Sequence, residues 1–295
     1  MLIGMCGAEF PAVREFLSRE LPEAELVIIE HGTLPDFGVD VIVPAGGVVS
    51  AELMDAARPR LIQQFGVGLQ GVDLEAAAER GIEVRNVPAA DTGNAVAVAE
   101  LVIFHLLALL RQFPRAAAGV GQRRVGEPVG LTLEGKTVTV LGTGAIGTRV
   151  LKLLEAFGAS GLAVGRRETS DLTPYFPARR LDEALARSGA LVACVPLTAE
   201  TRGLVGAAQF AAMPPGGYLV NVGRGPVVDY QALLDALRLG RLAGAGLDVT
   251  WTEPIDPADP LLAENVVVTP HIGGVTRESY ARMAAAFADS VRSAR

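Results

Sequence analysis

The chain has 295 residues, half of them hydrophobic, which is enough material for two domains with cores of their own. Its formal charge of -7 contains no long acidic or basic run, which argues against a nucleic-acid-binding surface and leaves any small anion to be held by local positive sites. No basic segment precedes an apolar one at the N-terminus, and the most apolar run, 95–110, is interrupted by Glu100 and His105, so neither a signal peptide nor a membrane span is expected and the protein is expected in the cytoplasm.

Short β-rich runs at 2–5, 26–29, 39–43 and 61–64 alternate with helical patterns at 10–20, 50–57 and 74–80. That rhythm predicts a parallel sheet covered on both faces. One long helix follows over 94–110, and then "GVGQRRVGEPVGLTLEG" has no apolar period and is expected to be a connection or an arm. From Thr137 the rhythm restarts, with strands at 137–141, 162–164, 191–194, 219–221, 243–247 and 266–268 and helices such as 146–157 and 230–239. The expectation is two α/β units, with no fixed-period repeat and no low-complexity tract. Cys6 and Cys194 are the only cysteines and lie far apart in apolar segments, so both are expected to be buried structural thiols, with no disulfide framework and no metal site.

The stretch "KTVTVLGTGAIGTRVLKLLEAFG" places Gly142, Gly144 and Gly147 as G-x-G-x-x-G between an apolar strand and an amphipathic helix. In that context the first glycine permits a tight turn, the second lets the backbone approach a pyrophosphate, and the third lets helix and strand pack closely. The second strand of the unit ends near Gly165, about 20 residues on, where an acid ordinarily accepts hydrogen bonds from the ribose of NAD. Here the sequence reads "LAVGRRETS", with Arg166 and Arg167 in place of the acid. An arginine pair suits the 2′-phosphate of NADP(H), which makes NADP(H) the preferred cofactor with NAD(H) as the other option. The alternative is a solvated pair of loop charges, and Glu168 beside them opposes the preference.

Three histidines exist. His31 precedes a turn-rich segment and reads as a loop residue, and His105 lies within "ELVIFHLLALL" and reads as a satisfied helix histidine. His271 follows the strand in "NVVVTP" and so emerges at a carboxyl strand end, where open α/β sheets bind ligands. Keto reduction needs a proton donor whose charge changes near neutral pH, and His271 suits that task. "NVGRGPVVD" sets Arg224 between glycines after another strand, free to grip a carboxylate. "GLDVTWTEP" puts Asp248 at a strand end with Glu253 shortly after it, and an ionised Glu253 beside His271 would favour imidazolium and fix which ring nitrogen faces a substrate.

The motifs "VLGTGAIG", "CVPLTAETRGLVG", "NVGRGPVVD", "GAGLDVTWTEP" and "TPHIGGVTRES" occur in the order found in the D-isomer-specific 2-hydroxyacid dehydrogenases. "FGVGLQGVDLEAAAERGIEVRNVPAADTGNAVAVAE" is similar to that family's substrate-loop region and interdomain helix, so the resemblance covers roughly 61–283. It implies that Arg224 binds and polarises a 2-oxo acid, that Glu253 partners the histidine, and that His271 is the acid/base. It implies further that Asp248 holds the nicotinamide carboxamide and that the backbone at Val67 and Gly68 binds the substrate carboxylate. The remaining cofactor contacts it implies come from Thr143, Ala145 and Ile146 in the glycine loop, Val195, Pro196 and Thr201 in the second motif, Val222 and Gly223 in the third, and His271 with Gly273 in the last. The arginine pair resembles the glyoxylate and hydroxypyruvate reductase branch, which often takes NADPH.

In fold, the resemblance implies two Rossmann-like, doubly wound parallel-sheet domains with a cleft between them: a flavodoxin-like substrate domain of 1–97 completed by 276–295, and an NAD(P)-binding domain of 98–275. A homodimer through the nucleotide domains is implied as well. The arm before "LEGK" reads "RRVGEP" where the family often carries tryptophan, and the C-terminal stretch is short. Trp251 is left between lining a pocket near Glu253 and packing at a domain interface. The expected activity is reduction of a small 2-oxo acid to a D-2-hydroxy acid, with no nucleic-acid or membrane partner. The alternatives are a dehydrogenase of another small anion such as formate or phosphite, and a dinucleotide-sensing regulator or corepressor on the same fold.

Overall fold

The computed structural model describes residues 1–7, 10–166 and 174–294. The chain divides into two compact units, one made of Met1–Asn94 with Val275–Arg295, the other of Ala95–Gly274.

The first unit runs β1 (Leu2–Cys6), α1 (Pro11–Glu20), β2 (Glu25–Ile29), β3 (Val41–Val43), α2 (Ala51–Ala57), β4 (Leu61–Gln64), α3 (Leu74–Glu79) and β5 (Glu83–Asn86). Its five strands are all parallel in the order β2-β1-β3-β4-β5, the flavodoxin-like winding. Polar caps start its later helices. Ser50 accepts the Leu53 N–H at the head of α2, and Asp73 accepts the Ala76 N–H at the head of α3.

Two elements depart from the sequence pattern here. The strand expected from residue 39 begins at Val41, because the Val39 N–H bonds the Ala57 carbonyl and the Asp40 carboxylate turns back onto the Leu2 N–H at 2.7 Å. β5 carries no apolar run: "EVRN" is an edge strand, and three of its four residues are polar.

The second unit opens with α4 (Asn94–Leu110) and α5 (Phe113–Gly121), then β6 (Thr137–Leu141), α6 (Ala145–Ala156), β7 (Ser160–Gly165), β8 (Tyr175–Pro177), α7 (Leu181–Leu185), β9 (Ala190–Ala193), α8 (Ala207–Ala212), β10 (Gly217–Asn221), α9 (Tyr230–Arg238), β11 (Leu242–Leu247) and β12 (Val266–Val268). The chain ends in α10 (Arg277–Ser293), which belongs to the first unit. The stretch expected to be a connection or an arm starts inside α5, because Pro114 and three alanines favour helix well past the break after α4. All seven strands of the second unit are parallel, in the order β12-β11-β10-β9-β6-β7-β8. β8 is a three-residue edge strand, too short to leave a sequence period.

Each sheet is covered on both faces. In the first unit α10 contributes Tyr280, Met283, Phe287 and Val291 to one face alongside Leu17 of α1, and Leu53, Met54, Ala76 and Ala77 cover the other. Phe65 and Tyr280 meet edge to face at 5.2 Å, and Phe16 meets Tyr280 at 5.6 Å. In the second unit Val102, Leu106 and Leu109 of α4 and Val150 and Leu154 of α6 cover one face, while Leu185, Phe210, Leu233 and Leu237 cover the other. Covering both faces of a parallel sheet leaves only its strand ends for polar chemistry, and the candidate site lies there.

Candidate functional site

Reading across the second sheet from β12 to β6, the carboxyl ends of successive strands carry His271, then Asp248 and Glu253, then Arg224, then Val195 and finally the glycine loop. Parallel strands place all of these on one edge of the sheet. The glycine loop sits at the switch point, where β6 has β7 on one side and β9 on the other.

The loop itself fits a dinucleotide. Gly142 adopts φ +111, and a Cβ on Gly147 would lie 1.8 Å from the Gly142 carbonyl oxygen, so helix and strand meet without room for a side chain. At Gly144 a Cβ would meet nothing within 4 Å. Gly144 and Ala145 are exposed at the start of the 12-residue α6, which has no side-chain cap, so its first N–H groups are left to an anion. Ile146 is half-buried against the α4 and α6 core. Thr143 lies against Gly165 at the end of β7, where a Cβ would come 2.5 Å from its Oγ1. Arg166 follows directly and is exposed, whereas Arg167 and Glu168 lie outside the described residues.

Along the next strand ends, the Thr201 hydroxyl closes a turn by donating to the Pro196 carbonyl at 2.7 Å and accepting the Thr198 N–H at 2.7 Å. Gly223 passes so close to Val195 that a Cβ would stand 2.5 Å from the Val195 carbonyl oxygen. Val222 is buried and continues the ladder by donating its N–H to Ala193. Fully buried Asn221, which the sequence reading passed over, sets this turn. Its Oδ1 accepts the Gly223 N–H at 3.1 Å and its Nδ2 donates to the Arg224 carbonyl at 2.9 Å. An asparagine directly before "VGRG" was the available signal, since a short amide can bond the backbone on both sides of such a turn.

Arg224 is half-buried and donates from Nη1 to the Gly223 carbonyl at 2.7 Å. Burial lowers its pKa, and the negative charge of Glu253 works in the opposite direction. Glu253 Oε2 lies 2.6 Å from His271 Nδ1, and its Oε1 accepts the Thr250 N–H at 3.1 Å. Desolvation raises the Glu253 pKa, but the His271 hydrogen bond and charge, the Thr250 N–H and Arg224 outweigh it, so the carboxyl is held below its ordinary range. His271 sits in the left-handed region at φ +52, an unusual backbone for a residue other than glycine, and its N–H bonds the carbonyls of Asp248 and Thr269 at 2.9 Å each.

Asp248, 3% exposed, accepts the Ile272 N–H at 2.9 Å and the Thr269 hydroxyl at 2.7 Å on Oδ1, and the Gly273 N–H at 2.8 Å on Oδ2. The His105 expectation needs correcting. Its Nε2 meets Thr269 at 3.0 Å, but Nδ1 is buried with no hydrogen-bond partner, so the side chain is only half satisfied. Trp251 donates its indole N–H to the Val228 carbonyl at 2.8 Å and packs edge to face on Tyr230 at 5.1 Å.

Val67 and Gly68 belong to the first unit, in the loop after β4. Their carbonyls are occupied: Asn86 Nδ2 donates to Val67 at 2.7 Å and Gln64 Nε2 donates to Gly68 at 2.8 Å. His31 is exposed, in the turn after β2. Burial pushes both thiols, Cys6 and Cys194, up to about 12, and Cys194 Sγ lies against the glycine loop, donating to the Leu141 carbonyl at 3.3 Å. Among the described residues no single helix is long and apolar enough to cross a membrane.

Comparison with known proteins bears on this geometry. The family described as D-isomer specific 2-hydroxyacid dehydrogenase, NAD binding domain, matches residues 103–273. The D-3-phosphoglycerate dehydrogenase of Archaeoglobus fulgidus is 35% identical over 94% of the chain, although the chain spans only about half, 51%, of that relative's length. The glyoxylate reductase of Aeropyrum pernix is 37% identical over 81% of the chain and 74% of its own length. In structure, the NADPH-dependent glyoxylate/hydroxypyruvate reductase of Sinorhizobium meliloti, solved with NADP and malonate, superposes with a TM-score of 0.84 at 34% identity, covering 99% of this chain and 92% of that one. With a matching family model over most of the second unit and relatives of this similarity, the chain belongs to the D-isomer specific 2-hydroxyacid dehydrogenase family.

Proposed function

We propose that this chain is an NADPH-preferring reductase of small 2-oxo acids of the glyoxylate and hydroxypyruvate type, forming the D-2-hydroxy acid. The observation that carries the reading is the 2.6 Å pairing of His271 with Glu253, with Arg224 on the neighbouring strand end, all on the edge that holds the glycine loop. A bound nicotinamide would supply the hydride to the substrate's second carbon. Glu253 engages Nδ1 and so sets the imidazole for proton delivery from Nε2 to the carbonyl oxygen. Arg224 binds the substrate and stabilises the negative charge growing on that oxygen, and its burial strengthens the interaction by thinning the solvent around it.

In the same reading, Val67 and Gly68 bind the substrate carboxylate, and Asp248 holds the nicotinamide carboxamide. The turns at Thr143, Val195, Pro196, Thr201, Val222 and Gly273 seat the rest of the dinucleotide. Arg166 and Arg167 take the 2′-phosphate. The exposed apolar side chains Phe104, Phe113, Val120, Val125, Val129 and Leu131 support a homodimer through this part of the chain, since a stretch so apolar favours removal from water. The similarity to NADPH-dependent glyoxylate/hydroxypyruvate reductase supports both the cofactor and the substrate class.

The test is the initial rate of cofactor oxidation with glyoxylate and with hydroxypyruvate, each with NADPH and NADH, for the wild type and for Arg224→Ala. The expected result is turnover favouring NADPH by about tenfold, about 1.4 kcal/mol. Arg224→Ala should lower kcat/KM by about a hundredfold or more while cofactor affinity stays near wild type. No turnover of either acid with either cofactor would overturn the substrate assignment, and loss of cofactor binding in Arg224→Ala would overturn the role given to that residue.

A further inference from the structure

His105 is fully buried in the middle of α4 and takes no part in the proton transfer proposed above. A helix packed against a sheet ordinarily fills such a position with an apolar side chain, and burying an imidazole there costs free energy unless its polar atoms are used. Room has been made for it. A Cβ on Gly246 of β11 would lie 2.8 Å from His105 Cβ and 2.9 Å from its Cγ and Nδ1, so the strand accepts the ring only because it carries glycine there.

The hydrogen bonds around the ring can be assigned by elimination. Asp248 Oδ1 accepts the Ile272 N–H and sits 2.7 Å from Thr269 Oγ1. The single Thr269 proton therefore goes to the carboxylate. At 3.0 Å, His105 Nε2 must then donate its own proton to a lone pair of the Thr269 oxygen. This requires the tautomer with Nε2 protonated and Nδ1 bare, and Nδ1 is the one buried side-chain atom found without a partner among the described residues. Burial agrees with a neutral ring, pushing its pKa down to about 4, against a smaller opposing effect from the Asp248 charge.

The chain His105–Thr269–Asp248 ends on the backbone of the histidine turn, because Asp248 holds the Ile272 and Gly273 N–H groups with its side chain and the His271 N–H with its carbonyl. We infer that His105 is a positioning residue: by occupying the Thr269 oxygen it commits the Thr269 hydroxyl to Asp248, and so fixes the carboxylate and the 271–273 turn from inside α4. The inference rests on the proposed function only for its consequence in catalysis, and its structural content can be tested without turnover.

Nitrogen NMR of the histidine-labelled protein should show His105 as the neutral, Nε2-protonated tautomer from pH 5.5 to 8, and a Nδ1-protonated or charged ring would overturn the assignment. In His105→Leu, amide hydrogen exchange at Ile272 and Gly273 should accelerate about three- to tenfold relative to amides elsewhere in the second unit, and NADPH or NADH, titrated by fluorescence, should bind about three- to tenfold more weakly. Thr269→Val should reproduce this, and the double variant should be no worse than Thr269→Val alone, since both changes cut one chain. His105→Gln, which offers a side-chain N–H, should recover most of the exchange protection. Wild-type exchange and affinity in His105→Leu, or losses that multiply in the double variant, would overturn the inference. Should His105→Leu not fold, Thr269→Val decides by the same exchange measurement, and wild-type behaviour there is again fatal. Absence of 2-oxo acid turnover would count against the proposed function while leaving each of these readouts intact.

Discussion

The two sheets present their carboxyl ends differently. In the second unit the strand ends bear ionisable side chains, Arg224, Asp248, Glu253 and His271, each tied down by hydrogen bonds to backbone or to one another. In the first unit the loop after β4 has its geometry set by two amide side chains, Gln64 and Asn86, that hold the carbonyls of Gly68 and Val67. The strand ends of one unit carry ionisable side chains, whereas the loop of the other is ordered by amide side chains bonded to its carbonyls. Disturbance should therefore propagate differently in the two: steeply where a packed turn carries a charge, gently where an amide merely orients a peptide.

The harshest test of that contrast is Gly147→Ala. Its Cβ would stand 1.8 Å from the Gly142 carbonyl oxygen, so the glycine turn and α6 must separate, at a cost of about 3 kcal/mol. A melting curve should show the loss, whereas Gly144→Ala, with open space around the new Cβ, should melt like the wild type and lose affinity for dinucleotide only. Equal melting of the two variants would mean that this turn is not packed as described.

An effect of comparable size, but spread over a range of pH, is expected from acid. His105 has its pKa pushed down to about 4 in the fold, against an ordinary value near 6.5, so between these values the unfolded chain binds a proton that the folded one refuses. Stability relative to His105→Leu should be constant above pH 6.5. It should then fall by about 1.4 kcal/mol per unit as pH drops from 6.5 toward 4, to a total of about 3 kcal/mol. Denaturant titrations of the two proteins at several pH values would show it, and a flat difference would exclude a neutral buried ring.

The gentlest prediction concerns the first unit. Asn86→Ala releases the Val67 carbonyl, with an expected cost of about 1 kcal/mol. If that loop binds a substrate carboxylate, the change should appear as a KM for 2-oxo acid raised about fivefold with dinucleotide affinity untouched. A fall in dinucleotide affinity instead would remove the distinction between the units.

The same contrast explains how far the sequence could be read. Ionisable residues just beyond apolar strand runs are conspicuous, so Arg224, Asp248, Glu253 and His271 stood out in the sequence, as did the parallel α/β winding of both units. Asn221 was missed because its work is done on its immediate neighbours and leaves no spacing signature. The reading of His105 as satisfied failed for another reason: its partner Thr269 is 164 residues away, and its bare Nδ1 shows only when the ring is seen against Gly246. β5, an edge strand without an apolar run, and β8, an edge strand of three residues, were equally silent. The arginine pair was legible as charge, but only Arg166 falls within the described residues.

The return of α10 to the first unit has a consequence for how the protein is made. One face of the five-stranded sheet is sealed by Tyr280, Met283 and Phe287, and its polar edge is closed by Arg60 bonding the Ala294 carbonyl, Arg85 bonding the Ser290 carbonyl and Ser290 donating to Gln63. Every one of those partners is translated after the whole second unit. On the ribosome the seven-stranded unit can therefore fold while the earlier-made first unit still waits with an open apolar face, a reversal of the usual N-terminal-first order. During that interval Leu61, Phe65 and Val41 stay uncovered, and the making of α10 is what ends their exposure.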